Sequence, residues 1–108
     1  MGLSGDWSIG EERARLNRED GSIVYRFHAR DLHLVLGAAN GKPIRFRVAI
    51  DDRPPGDSHG ADVDADGQGV VKGQRLYQLI RQDGAITDRT FEIRFLEPGV
   101  EAYAFTFG

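Results

Sequence analysis

The chain contains no cysteine among its 108 residues. That excludes disulfides, thiolate metal sites and any thiol redox chemistry carried by this chain itself. Basic residues are not in excess, since 14 Lys and Arg stand against 17 Asp and Glu for a net charge of -3. A nucleic-acid binder usually shows a basic excess or a basic stripe, so the composition argues against a nucleic-acid partner. No apolar run approaches the ~20 residues needed to cross a bilayer, which argues against direct membrane insertion. The opening MGLSGDWS lacks the charged-then-apolar order of a signal peptide. Helical periodicity of ordinary length is missing too. Residues 11–18 are rich in helix formers, but only Ala14 and Leu16 would be buried, and the alternation is read as a strand.

What the chain has is period-two alternation. In residues 21–37, GSIVYRFHARDLHLVLG, the side chains of Ile23, Tyr25, Phe27 and Ala29 fall on one side. Val24, Arg26 and His28 fall on the other, and Leu32, Leu34 and Leu36 resume the pattern after Arg30-Asp31. This predicts two half-buried strands paired through a tight turn. Pro43 opens the cleanest strand, where Ile44, Phe46, Val48 and Ile50 alternate with Arg45, Arg47 and Ala49. Further runs occur at residues 7–9, 70–72, 76–81 and 91–95. In the last run, 100–107, strict parity puts Tyr103, Phe105 and Phe107 on one side and Ala102, Ala104 and Thr106 on the other. About eight short strands with a turn signal about every ten residues predict an all-β sandwich or barrel. The expected aromatic layer between the sheets is Tyr25, Phe27, Phe46, Phe91, Phe95 and Phe105. A chain of this length fits one domain, and residues 1–108 read as a single unit cut from a longer protein.

Four groups of residues could carry chemistry. Arg26, His28, Arg45 and Arg47, with His33 and Arg94 nearby, form an outward cationic row if their strands share a sheet. Such a face could hold an anion or a sugar through bidentate guanidinium bonds, or simply pair with Glu92 and Glu101 across strands. Asp62-Val63-Asp64-Ala65-Asp66-Gly67 matches the first half of a calcium loop. The twelfth position is Gly73, so an EF-hand is excluded. A looser calcium site at Asp62, Asp64 and Asp66 remains a candidate against a plain acidic turn, in which Gly67 and Gly69 supply positive φ. No organic cofactor is called for. His28, His33 and His59 are too dispersed for a metal, and consecutive Asp57-Ser58-His59 cannot form a nucleophile–base–orienter chain. Trp7 and Tyr77 could stack on a sugar ring, although a terminal aromatic more commonly closes the end of a sandwich.

The runs GDWSIGEERARLN, GSIVYRFHARDLHLVLG, IRFRVAIDDRPPG, HGADVDADGQG, RLYQLIRQ and RTFEIRFLEPGVEAYAFTFG resemble the C-terminal domain of DipZ-type thioredoxin-family proteins. The resemblance covers residues 5–108. It implies a jelly-roll sandwich similar to carbohydrate-binding modules, with a looser similarity to galactose-binding-like sandwiches. It also implies an adjacent thioredoxin-like domain in the parent chain and an extracytoplasmic location. The Cys-x-x-Cys motif of that neighbour is absent here, so none of the family's oxidoreductase chemistry can be assigned to a residue of this chain. What remains is a non-catalytic accessory module. It would bind a carbohydrate-like ligand or a protein partner, or it would only pack on the thioredoxin domain.

Overall fold

The computed structural model describes residues 2–108, and Met1 lies outside the described residues. The strands are β1 (Gly2–Ser4), β2 (Trp7–Ile9), β3 (Ala14–Leu16), β4 (Gly21–Phe27), β5 (Asp31–Ala38), β6 (Ile44–Ile50), β7 (Gln68–Val71), β8 (Arg75–Arg81), β9 (Arg89–Phe95) and β10 (Val100–Phe107). One 3-10 turn, Gly56–Ser58, sits between β6 and β7. The strands form two five-stranded sheets, ordered β1-β4-β9-β6-β7 and β2-β3-β10-β5-β8. All neighbouring strands are antiparallel. The expected all-β sandwich is the fold.

The core lies between the inner faces. One sheet contributes Ile23, Phe46, Val48, Phe91, Ile93 and Phe95, and the other Leu16, Leu32, Leu34, Leu36, Tyr77 and Leu79. Each set alternates along its strand, as burial of one sheet face requires. Of the expected aromatic layer, Phe27, Phe46, Phe91 and Phe95 are buried, whereas Tyr25 and Phe105 are only partly covered.

Two expectations about pairing are corrected. β4 and β5 do not pair, because they belong to opposite sheets. The connection between them crosses the sandwich and is held by Gln82, which is buried. The Gln82 side-chain amide donates to the carbonyls of Ala29 at 2.9 Å and Thr87 at 3.1 Å. Its backbone N–H donates to Arg30 at 2.7 Å. Two strands facing each other across a core alternate in the same way as two strands in a hairpin, so periodicity could not separate these cases.

The second correction is in β10. Its register against β5 shifts between Ala102 and Phe105, where Ala102 faces Leu36 and Phe105 faces Leu34. This bulge inserts a residue and resets the parity. Ala102 therefore points into the core and is nearly buried. Tyr103 turns to the opposite face, its hydroxyl donating to Gln74 Oε1 at 3.1 Å. Phe105 points inward again, edge-on to Phe91 with ring centroids 6.1 Å apart.

Candidate functional site

The expected cationic row lies on one sheet but does not gather. β9 separates β4 from β6. Arg26 stands opposite Thr90, while Arg47 stands opposite Arg94, which in turn faces Ser22. Arg26 and Arg47 are thus four rungs and two strands apart, roughly 13 Å along the sheet and about 10 Å across it. His33 is on β5, in the other sheet.

Most of these groups already have partners. Arg45 makes a forked pair with Glu97, with Nε 3.1 Å from Oε1 and Nη2 3.0 Å from Oε2. The Arg45 backbone N–H also donates to Glu97 Oε1 at 3.0 Å. The hydrogen bonds from Arg45, first the side chain and then the backbone, hold the Glu97 carboxyl below its ordinary range. Arg26 donates to Thr90 Oγ1 at 3.0 Å. His28 Nδ1 is 2.6 Å from Asp88 Oδ1, with both side chains mostly in solvent. The carboxylate partners are therefore Glu97 and Asp88, not the expected Glu92 and Glu101. Glu92 reaches only Arg94, at 3.8 Å, and Glu101 binds Arg13 on the other sheet at 2.8 Å. Arg45 and Arg47 do border one shallow depression with Asp64, Gln68 and Val70, and there Arg47 has no ion pair among the described residues.

The three aspartates of the candidate calcium loop do not converge. Asp62 accepts hydrogen bonds from Arg75 Nη2 at 2.8 Å and from the Gln78 N–H at 2.6 Å. The Arg75 bond is the main reason its carboxyl is more acidic than usual. Asp64 closes a turn by accepting the Gln68 N–H at 2.9 Å. Asp66 stays in solvent. Among the described residues no group of three such side chains could hold a metal ion. The acidic-turn reading fits this geometry, with one amendment. Gly67 has φ +86, whereas Gly69 is required because a Cβ there would run into the Phe46 ring.

Trp7 and Tyr77 form no platform. Tyr77 is fully buried, and its hydroxyl donates to the Gly73 carbonyl at 2.7 Å. Trp7 packs edge-on to Phe95 with centroids 6.1 Å apart and lies partly buried against the core. Within Asp57-Ser58-His59, Ser58 Oγ accepts the Asp83 N–H and His59 Nδ1 meets the Gly60 carbonyl, so these two side chains are separately engaged, and Asp57 is exposed.

A concave apolar feature lies between the ends of β4 and β10. β3 pairs with β10 only at Arg15–Glu101 and Ala14–Ala102. Among the described residues β1 pairs with β4 from Ser4–Ser22 to Gly2–Val24. Beyond these points no described residue pairs with that side of residues 103–107 or of the end of β4. Between them runs a cleft of about 480 Å³, lined by Leu3, Ile9, Tyr25, Phe105 and Phe107, with Glu11 at its rim. Tyr25 stacks on Phe105 at 4.8 Å and on Phe107 at 5.7 Å. Leu3, Ile9 and Phe107 are 38%, 68% and 45% exposed. No strand among the described residues covers these large apolar side chains. Sequence reading placed Tyr25 and Phe105 in the core and did not single out this cleft. The usable signal was length: β3, with three residues, cannot cover β10, with eight.

A family model described as thioredoxin-like C-terminal domain matches residues 1–108. Comparison with curated proteins finds no match. Among solved structures, a family two carbohydrate esterase from Cellvibrio japonicus superposes with TM-score 0.73 at 15% identity, over 98% of this chain and 30% of that one. A family two carbohydrate esterase from Clostridium thermocellum, in complex with cellohexaose, gives TM-score 0.74 at 11% identity, over 99% of this chain and 31% of that one. The chain thus spans under a third of either esterase, and the likeness is one of fold, consistent with a jelly-roll, galactose-binding-like sandwich.

Proposed function

We propose, from the premise that this chain belongs to the thioredoxin-like C-terminal domain family, that it is a non-catalytic binding module of a DipZ-type thiol–disulfide oxidoreductase. The absence of cysteine supports this reading, since the thiol chemistry then resides elsewhere in the parent chain. The parent's thioredoxin-like domain is the first partner, and the module faces the same extracytoplasmic side. The observation that carries the binding role is the open cleft over Tyr25, Phe105 and Phe107. A concave apolar site with a few polar groups at its rim is the usual form of a ligand site. The hydroxyl of Tyr25 has no hydrogen-bond partner among the described residues, which leaves it free for a ligand.

The test is an NMR titration of the isotope-labelled chain with cellohexaose, other saccharides and capped peptides. Binding in the cleft shifts the amides of Tyr25, Phe105 and Phe107. Shifts confined to Arg45 and Arg47 would instead support saccharide recognition by the basic face. A spectrum unmoved by every ligand would count against a binding role.

A second reading is a packing module with no ligand of its own. It is favoured by Leu3 and Ile9, large apolar side chains that stay exposed at the cleft and that a packed domain would cover. Adding the separately expressed thioredoxin domain should then perturb one contiguous patch around Leu3 and Ile9. An unchanged spectrum would remove that reading.

A further inference from the structure

We infer that the cleft accepts an extended polypeptide segment by strand addition along the free edge of β10, with a basic residue of the peptide near the β2–β3 turn. This rests on the reading of the chain as a binding module and names the class of its ligand.

Three observations converge on it. The first is the unpaired backbone. β10 continues past its last partner in β3, while β5 holds its other side as far as Phe107–Leu32. Along residues 103–107 every second residue therefore turns its N–H and C=O toward the open side. A saccharide or lipid would leave this regular donor–acceptor row unmatched, whereas an extended backbone matches it rung by rung.

The second is the direction of the side chains. Pairing with β3 ends at Ala102, and the bulge between Ala102 and Phe105 turns Phe105 and Phe107 toward the cleft. A strand added beside them would send alternate side chains into the space between β10 and the Leu3–Tyr25 wall. Leu3, Ile9 and Phe107, three of the six exposed large apolar side chains among the described residues, line this one cleft.

The third is charge. Glu11 and Glu12 are exposed at the turn that bounds the cleft and have no ion pair among the described residues. Arg13 beside them is neutralised by Glu101 at 2.8 Å. The net charge of the rim is negative, so it complements a Lys or Arg on the incoming segment.

The test compares two capped hexapeptides, Lys-Val-Thr-Val-Thr-Phe and the same sequence with alternate amides N-methylated. Binding to the whole labelled chain is followed by NMR and calorimetry. Strand addition predicts shifts along residues 103–107 with the unmodified peptide, new amide protection there, and affinity at least about tenfold weaker after N-methylation. Phe107→Ser should weaken binding by about tenfold with the rest of the spectrum unchanged. Glu11→Gln with Glu12→Gln should remove the salt dependence of binding and leave the fold untouched. Equal affinity for both peptides would overturn strand addition and leave a plain apolar pocket. No peptide binding, with cellohexaose or the thioredoxin domain still shifting the cleft, would overturn the inference and spare the binding-module reading. An inert cleft toward all of these would sink both.

Discussion

Asp62 joins two segments with one carboxylate, since it precedes β7 and grips Arg75 and the Gln78 N–H of β8. Its pKa is held below the ordinary 3.8, first by the Arg75 hydrogen bond and then by the Gln78 N–H, against the opposing effect of partial burial. Asp51 is lowered in the same way, first by the Thr90 N–H and then by Arg89, whose Nε lies 2.6 Å away. Each carboxyl is more acidic folded than unfolded. The resulting stabilisation is complete above the unfolded values near 3.8 and is lost as pH falls through the lower folded values. Thermal melts should therefore hold a nearly constant midpoint from about pH 7 to about pH 5 and decline below about pH 4. Asp62→Asn should make that decline shallower and lower stability at neutral pH by about 1–2 kcal/mol, measured by urea denaturation. An unchanged acid limb would show that Asp62 is not one of the groups responsible.

The connections between strands decide more of this structure than the strands do. The crossing from β4 to β5 depends on Gln82, a buried polar side chain whose two donors are both used. Gln82→Ala should cost about 1–3 kcal/mol, because the carbonyls of Ala29 and Thr87 lose their donors. Gln82→Glu should be worse at neutral pH, since one donor pair becomes acceptors facing carbonyl oxygens. Denaturation midpoints test both, and a cost within error for Gln82→Ala would mean that water replaces the amide. Gly69 is the second such point, where the chain passes against the Phe46 ring. Gly69→Ala should destabilise by about 1–3 kcal/mol through overpacking.

For the molecule as a whole, the two sheets leave the β10 edge beyond Ala102 without a strand beside it among the described residues. Such an edge usually invites aggregation unless something covers it or charge guards it. Glu11 and Glu12 supply charge at one end of this one. Replacing both by Lys would invert that charge and, on this reasoning, alter the salt dependence of self-association seen in analytical ultracentrifugation. At the opposite side of the fold the aspartates of residues 62–66 are committed to Arg75, Gln78 and Gln68 or to solvent. Millimolar calcium should accordingly leave the melting midpoint unchanged, and a clear rise would show that these carboxylates can regroup around the ion.

The sequence by itself determined the all-β class, most strand positions and the buried face of nearly every strand. Alternation at positions such as Ile44, Phe46, Val48 and Ile50 is a local property, and a strand exposes it wherever it is placed. Family membership was legible for the same reason, carried by long runs in order. Which strand pairs with which was not legible, because β4 and β5 show the same parity whether they lie side by side or face each other across a core. The phase of β10 was hidden by one inserted residue. The separation of Arg26 from Arg45 and Arg47 followed from β9 coming between β4 and β6. The cleft belongs wholly to the tertiary structure: Tyr25 and Phe105 read as core residues, and only assembly of the two sheets leaves them, with Phe107, beside an edge that no described strand covers.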